Sequence, residues 1–335
     1  MRGRFFSCRG DIMKQRSLFL KLLFLNFLLL AGIIGLSGWV ASADANPFNK
    51  GAKLCEECHE AEFKIWKNTK HFESFRTVHR EPKDKSKPSP KKILEAVEGE
   101  KRMKRNKACS LCHYTLEQKD ADDKPDAGSG TSCESCHGPS SEWLEIHDNY
   151  GGKDVKRDQE SADHKVKRIA DSKAKGLIWP SMKYEVAENC MVCHGLAHPE
   201  LTADELAKML GAGHPINPDF ELVKYSQGSV RHRYYPPNIK ENAEMTPAEL
   251  SREYVVGQAA ALVSATNAMS KSEDPKYKAA QEQRVANAKA GLSGVPEAAG
   301  LLAAPTRENA LKFAADIAGK DLSGVVKLPA KSDYK

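Results

Sequence analysis

Four short motifs of cysteine and histidine stand out in this chain of 335 residues. Each has the form Cys-x-x-Cys-His, and the four read CEECH at 55–59, CSLCH at 109–113, CESCH at 133–137 and CMVCH at 190–194. The thiols are those of Cys55, Cys58, Cys109, Cys112, Cys133, Cys136, Cys190 and Cys193, and the imidazoles are those of His59, His113, His137 and His194. Only 11 residues of the chain are histidine, so four placements directly after a cysteine pair are not a coincidence.

The spacing within each motif suits covalent attachment of a haem. Residues i, i+3 and i+4 of a helical turn lie on one face of the helix. Two thiols at i and i+3 can therefore bond the two vinyl groups of one porphyrin, while the imidazole at i+4 binds the iron as the proximal ligand. The sequence thus predicts four haem c groups as cofactors.

Two other uses of paired cysteines fit less well. Zinc sites built from the cysteines would leave four histidines unexplained, and disulfide bonds would not require a histidine after each pair. Haem also explains why the middle of the chain lacks long apolar runs, because much of its interior would be porphyrin.

An apolar stretch near the N-terminus indicates export. Residues 18–40 are almost wholly apolar, follow Lys14 and Arg16, and lead to a small-x-small cleavage pattern at Ala41 and Ala43. We expect residues 1–43 to be a signal peptide or, alternatively, an uncleaved membrane anchor. The mature protein is therefore expected in the periplasm, where c-type haems are assembled. An uncleaved anchor would attach it there to the inner membrane.

The net charge gives no support to nucleic-acid binding. Lysine and arginine number 51 against 45 aspartate and glutamate, but five of the six surplus charges fall within residues 1–43. The rest of the chain is close to neutral, whereas a nucleic-acid-binding domain usually carries a strong basic surplus. The lysine-rich stretch at 80–92 is more typical of a solvated surface, although a redox partner with an acidic rim could bind it.

The chain after the signal divides into two regions by composition. Residues 44–240 hold all four motifs and are expected to form a tetrahaem cytochrome c domain, mainly α-helical and irregular, wrapped around a four-haem core. Residues 241–335 contain neither cysteine nor histidine, are rich in alanine, and are expected to form a helical C-terminal cap. Capping residues, prolines and glycines predict helices at 93–107, 246–270, 274–290 and 306–318.

Seven histidines outside the motifs are candidates for the second, distal ligand of each iron: His71, His79, His147, His164, His198, His214 and His232. If the helix after the first motif is continuous, His71 lies about 18 Å beyond His59 along the helix axis and cannot bind the same iron. His198 follows His194 too closely to reach the opposite face of its haem. His164 lies in a charged segment, so neither His198 nor His164 is expected to bind iron.

The stretches around the motifs resemble the tetrahaem cytochrome c-554 family. The similar stretches are FNKGAKLCEECHEAEFKIWKNTKH at 48–71, GTSCESCHGPSSEWLEIH at 130–147, and the fourth motif with the histidines after it. They cover about residues 47–235, and Trp66 within them is expected to pack near the first haem. A wider group of multihaem cytochromes also resembles GAGHPINPDFELVKY at 211–225 and YVVGQAAALVSA at 254–265.

The resemblance implies crossed ligation, in which the distal histidine of a haem comes from a different part of the chain. His71 would bind the iron of the His137 haem. His147 would bind the iron of the His59 haem.

The resemblance defines the other two irons less closely. For the haem of His194 the family supplies a downstream histidine, which is His214 or His232 here. In the founding member of that family the second haem, which corresponds to that of His113 here, has an open sixth position. His79 is a tentative distal ligand that would close it.

These features predict a periplasmic c-type cytochrome that relays single electrons between redox protein partners and has no catalytic residues. Two histidines on every iron would leave no open position and suit electron transfer. Two alternatives stay open. An open position on the His113 haem would suit a reductase of a small nitrogen or oxygen species, and an uncleaved anchor would suit a membrane-bound quinol dehydrogenase.

We expect the mature protein to carry four covalently bound haems, one on each cysteine pair. Intact-mass spectrometry of the protein, produced in a host that attaches c-type haem, measures the number. The double change Cys109→Ala and Cys112→Ala should remove the mass of one haem, because thioether attachment needs the thiols. Bound zinc, or fewer than four haems on the unaltered chain, would contradict the motif interpretation.

Overall fold

The chain forms short helices joined by long irregular segments in its first part and longer helices in its last hundred residues. The computed structural model describes residues 46–235 and 238–335. About 51% of the structure is helical with little strand, which confirms the prediction of a mainly α fold. The expected signal peptide at 1–43 lies outside the described residues. No helix in the described ranges combines the length and apolar character that crossing a bilayer requires.

The first part contains eleven named helices and one small sheet within the described ranges. The helices are α1 Ala52–Glu56, α2 Glu60–Trp66, α3 Lys70–Thr77, α4 Pro90–Ala96, α5 Lys107–His113, α6 Cys133–His137, α7 Leu144–His147, α8 Ala162–Ala174, α9 Lys183–His194, α10 Ala203–Gly211 and α11 Leu222–Ser226. Strands β1 Thr115–Glu117 and β2 Asp126–Ser129 pair antiparallel, with Leu116 opposite Ala127. This hairpin joins the second motif to the third.

The helix after the first motif is not continuous. It breaks at residues 67–69 between α2 and α3, where Thr69 becomes a new N-cap and its side chain accepts a hydrogen bond from the Phe72 amide at 3.2 Å. The Asn68 side chain donates back to the Lys64 carbonyl at 2.8 Å. Capping of this kind starts a helix in a new direction, so the position of His71 does not follow from one helical axis.

The predicted helix at 93–107 is wrong, because α4 ends at Ala96. Gly99 has φ +97°, which a helix does not tolerate but which costs glycine little. The Asn106 side chain donates to the carbonyls of Glu98 and Glu100 at 2.8 and 3.1 Å and stabilises the loop instead.

The expected helical segment after residue 240 is present, and its three predicted helices are confirmed. The helices are α12 Pro247–Ala268, α13 Pro275–Leu292, α14 Ala299–Ala303 and α15 Arg307–Asp316. Thr246 and Glu249 form a capping box at the start of α12, as TPAE predicts. Asp274 caps α13 by accepting from the Tyr277 amide at 2.9 Å.

The largest apolar core lies between these C-terminal helices and α9. Met191 of α9, Leu262 of α12 and Phe313 of α15 are each at most 1% exposed and belong to one packed cluster. The helix that carries the fourth motif is therefore supported by conventional side-chain packing. Residues 47–335 form one compact unit, and the proposed division at 240 stays a prediction.

Candidate functional site

Each of the four motifs forms one helical turn, as its spacing predicts. The second, third and fourth motifs are the C-terminal ends of α5, α6 and α9. The first motif begins within α1, at Cys55, and the amides of Cys58 and His59 donate to the Cys55 carbonyl at 3.3 and 2.8 Å. Both cysteines and the histidine of a motif therefore lie on one side of a turn.

Each motif histidine faces one histidine from elsewhere in the chain. The distances between ring centroids are 6.4 Å for His59 and His147, 6.0 Å for His71 and His194, 6.0 Å for His113 and His214, and 6.3 Å for His137 and His232. We call these the four imidazole pairs. They use every motif histidine and the four histidines that the sequence favours as distal candidates.

The structure corrects the expected position of His71. It lies opposite His194, at the fourth motif, and not opposite His137. The ring opposite His137 is that of His232. The new N-cap at Thr69 is the physical reason, because it redirects α3 after the first motif.

The ring opposite His113 is that of His214, which the resemblance would place at the fourth haem. The tentative ligand His79 follows the end of α3 and is exposed. Its Nδ1 lies 3.5 Å from the hydroxyl oxygen of Tyr114, and it faces no motif histidine. The structure therefore does not bring His79 to the position that the sequence left open for it.

Hydrogen bonds fix the proton position on four of the paired rings. Nδ1 donates to a backbone carbonyl in His137 (Ile178, 2.9 Å), His147 (Leu144, 2.6 Å), His214 (Pro215, 2.8 Å) and His232 (Val230, 2.6 Å). A carbonyl oxygen only accepts, so Nδ1 carries the proton and Nε2 keeps its lone pair. Histidines that bind metals usually have this arrangement, because the bond orients the ring.

His198 has the opposite arrangement. Its Nδ1 accepts from the Glu200 amide at 3.2 Å, so the proton of the neutral ring is on Nε2. The Nδ1 of His164 lies 2.8 Å from a carboxylate oxygen of Glu160. Neither ring lies opposite a motif histidine, and the expectation that these two histidines do not bind iron stays a prediction.

Burial keeps several paired rings in the neutral form. It lowers the pKa of His113 and of His194 to about 4, with a smaller contribution from the facing histidine in each case. Burial also lowers the pKa of His71 and His214. Neutral imidazole is the form that can give a lone pair to a metal.

One cavity of about 2650 Å³ connects the four imidazole pairs. Its lining includes all eight motif cysteines and all eight paired histidines, whereas His79 and His164 do not line it. Pockets for a single small ligand are usually about 300–1,000 Å³. The cavity is therefore large enough for several large cofactors.

The helices that carry the motifs contact one another in a defined order. Helix α1 contacts α6, α6 contacts α9, and α9 contacts α5. The thiols agree with this order. The neighbouring Cys133 thiol lowers the pKa of Cys55, and the neighbouring Cys193 thiol lowers the pKa of Cys112. The motifs thus follow one another in space as first, third, fourth and second.

A buried carboxylate joins the first motif to the third. Glu134, within CESCH, is 2% exposed and accepts hydrogen bonds from the amides of Lys50, Gly51 and Ser140 at 2.8, 2.7 and 3.0 Å. Charge-assisted bonds of this kind are stronger than neutral ones. Because Gly51 is the N-cap of α1, the carboxylate holds that helix against α6.

A second ionic group holds the partner of His59 in place. The Arg168 guanidinium donates to the His147 carbonyl at 2.5 Å and binds both carboxylate oxygens of Glu160, each at 2.7 Å. The Arg168 hydrogen bonds lower the pKa of Glu160 to about 2. The Glu160 carboxylate also accepts from His164, so this histidine orients a neighbouring segment.

These supporting residues were missed by reasoning from sequence. Glu134 had one usable signal, because it occupies a variable position of the specific CESCHGP element. Arg168 and Glu160 lie in a segment whose composition is typical of a charged surface. No local sequence pattern distinguishes these two residues from the other charged residues of that segment. The Trp66 indole donates to the Thr131 carbonyl at 2.8 Å, and its packing near the first haem stays a prediction.

Comparison with known proteins gives one family and one relative to which this chain is similar. A family model described as cytochrome c554 and c-prime matches residues 54–138, which hold the first three motifs. Cytochrome c-554 of Nitrosomonas europaea is 30% identical over 171 residues, which cover 47% of this chain and 61% of that protein. The resemblance to the cytochrome c-554 family is confirmed. No solved structure matches the chain.

The cytochrome c-554 similarity supports a c-type cytochrome that holds haem c covalently. The matched residues 54–138 include the β1–β2 hairpin and Glu134. The matched segment of the relative is less than two thirds of its length.

We expect Glu160→Gln to lower the stability of the protein at neutral pH but hardly at all near pH 2. The folded-state pKa of Glu160 is depressed from 4.5 to about 2, so its contribution is present above pH 4.5 and is lost as the pH falls toward 2. Chemical denaturation of both proteins between about pH 2 and about pH 7 measures the difference. The exposed Asp158→Asn is the control and should show no such dependence. An equal loss for Glu160→Gln at every pH would contradict the assigned ion pair.

Proposed function

We propose that this protein is a tetrahaem electron carrier in which each haem c is held by two cysteines and two histidines. The eight motif cysteines would form the thioether bonds, and each imidazole pair would supply the two axial ligands of one iron. The observation that carries the proposal is that all four motif histidines face a second histidine at 6.0–6.4 Å.

The distance in the four imidazole pairs fits an iron between two rings. Metal–imidazole bonds of about 2.0–2.1 Å on either side, with each ring centre about 1 Å behind its nitrogen, give centroids roughly 6 Å apart. The free Nε2 lone pairs of His137, His147, His214 and His232 support the same assignment. So does the cavity, because close-packed protein interiors hold few voids larger than a water molecule.

The residues favour electron transfer over catalysis at iron. A haem with two histidine ligands supplies reversible one-electron chemistry without an exchangeable position. The alternative of a reductase needs such a position, and the resemblance had suggested the His113 site. His214 faces His113 there, at the same distance as the other pairs, and supports closure of that site.

The order of the motif helices supports a linear path for the electrons. The first and second motifs are the two ends of the series, and the third and fourth lie between them. We propose that one redox partner binds at the first motif and the other at the second motif.

The second motif is bordered by a basic segment, residues 80–92, with six lysines and arginines against two acids. The Pro88 side chain lies 3.9 Å from the Cβ position at Gly213, which directly precedes His214. Lys83 and Lys85 in this segment are exposed. Such a charge distribution suits a partner protein with an acidic rim, because complementary charge speeds encounter.

The periplasm is the proposed location of this carrier. The apolar stretch at 18–40 supports this location, because it resembles an export signal. The motifs support it as well, because c-type haem is attached after export.

We expect all four ferric irons to be low-spin, and His214→Gly to create one high-spin iron that binds nitric oxide. Removal of one axial ligand opens a coordination position, which changes the spin state. Low-temperature EPR with and without nitric oxide measures this.

His79→Gly is the matched control for this experiment and should leave the spectrum unchanged, since His79 faces no motif histidine. A substantial high-spin signal in the unaltered protein, or a new one in His79→Gly, would contradict the assignment and favour the reductase.

Reversal of the charge at Lys83 and Lys85 to Glu should slow oxidation of the reduced protein by ferricyanide several-fold at low salt. The same change should speed oxidation by a cationic cobalt(III) complex, because both effects come from attraction at the second motif. Stopped-flow rates measure them, and about 1 M salt should abolish them.

The control for the charge reversal is Lys276→Glu with Lys289→Glu on α13, where both lysines are exposed. These changes should alter the rates much less. Equal effects of the two pairs would show that net charge, and not this segment, guides the encounter.

A further inference from the structure

A buried arginine lies next to the fourth motif without an acidic partner. Arg284, on α13, is 3% exposed. Its guanidinium donates to the Gln281 side-chain oxygen at 2.6 Å and the Ser264 hydroxyl at 3.1 Å, and it contacts the Met191 sulfur at 3.5 Å. All three partners are uncharged. Within residues 46–235 and 238–335, Arg284 makes no ion pair with a carboxylate.

An unpaired charge in this position is unusual. Arginine is almost never fully buried unless it is paired, because moving a charge out of water is costly. Desolvation lowers the pKa of Arg284 to about 10, so the side chain is still protonated at neutral pH. The fold therefore keeps a full positive charge in its largest apolar core.

The charge lies beside the histidine of the fourth motif. A Cβ atom on Gly195, the residue directly after His194, would lie 2.5 Å from Nη1 of Arg284 and 2.7 Å from its Cζ. Only glycine therefore allows the guanidinium to approach this closely. Met191, whose sulfur contacts the other nitrogen, is one helical turn before His194.

The cation also complements the end of α9. This helix ends at His194, and the last carbonyls of a helix carry partial negative charge. The neighbouring side chains satisfy the carbonyls just beyond the helix, since Gln281 donates to Gly195 at 3.0 Å and Tyr277 donates to Leu196 at 2.9 Å. Among the described residues, no carboxylate pairs with the Arg284 guanidinium.

We propose that Arg284 raises the reduction potential of the haem bound by His194 above that of the same site without the charge. A nearby positive charge favours the iron state with the lower positive charge, which is the ferrous state. The field is weakly screened, because the guanidinium is buried and water is excluded around it.

This role rests on the proposed ligation of haem by His194 and His71. The fourth motif lies between the third and the second in the order of helices. A raised potential at this site favours electron transfer onto it from either neighbouring haem. The C-terminal helices, which hold none of the motifs, would then set the energetics of the relay.

The experiment is a spectroelectrochemical titration of the four-haem protein with Arg284→Gln. We expect one of four one-electron steps to move to lower potential by on the order of tenfold in the equilibrium constant, or about 59 mV, and the other three to move much less. Arg284→Lys keeps the charge and should restore most of the shift. Lys289→Gln removes a charge from the exposed side of the same helix and should change no step.

A second variant tests the charge with Arg284 in place. Ser264→Asp adds a carboxylate within reach of Nη2 of Arg284. It should lower the reduction potential of the same step, because the carboxylate neutralises the charge of the guanidinium. This variant also covers the case in which Arg284→Gln fails to fold. Unchanged potentials in both variants, or an equal shift of all four steps, would overturn the proposal.

The haem count and the EPR spectrum of each variant separate this inference from the proposed function. If the variants keep four low-spin haems and their reduction potentials equal those of the unaltered protein, only the role of Arg284 is contradicted. A protein with fewer haems would contradict the ligation on which the role rests.

Discussion

The four imidazole pairs are the contacts on which the arrangement of residues 46–235 depends. Each pair joins a motif helix to a distant segment of the chain, and the rings enclose one cavity of about 2650 Å³. A cavity of that size is incompatible with a close-packed interior unless a cofactor fills it. Under the proposed ligation, metal binding and folding are coupled in this region, because the ligands meet only in the folded chain.

The polar network around the four imidazole pairs holds the motif helices and the paired histidines in position. Short helices bury little apolar surface, so hydrogen bonds must hold their positions. Glu134 fixes α1 against α6, and Arg168 holds the backbone of His147. Carbonyl groups within three residues orient the rings of His147, His214 and His232. The rings are thereby oriented by their own local backbone.

The C-terminal helices supply what the first part lacks. They pack an alanine-rich core against α9, and residues such as Leu262 and Phe313 are almost fully inaccessible. This core packs against the helix that carries the fourth motif, and some of its residues, such as Val256 and Ile317, also line the cavity. It is also where Arg284 is buried, so packing and electrostatics of the fourth site come from the same helices.

Much of the chemistry was predictable from the chain alone. The four motifs, the helical turn that each one forms, the capped helices after residue 240 and the set of distal candidates all follow from local patterns of residue type and spacing. Such patterns are sufficient because a motif of five residues, or a capping box such as that of Thr246, is determined by neighbours in sequence.

The partner of each motif histidine was decided only by the tertiary structure. The helix break at Thr69 changes the direction of the chain, and His71 lies opposite the fourth motif. The positive φ of Gly99 prevents the helix that was predicted at 93–107. Glu134, Arg168 and Arg284 gained their roles from segments that are distant in sequence. Those contacts depend on how several chain reversals add up in space, and local spacing does not contain that information.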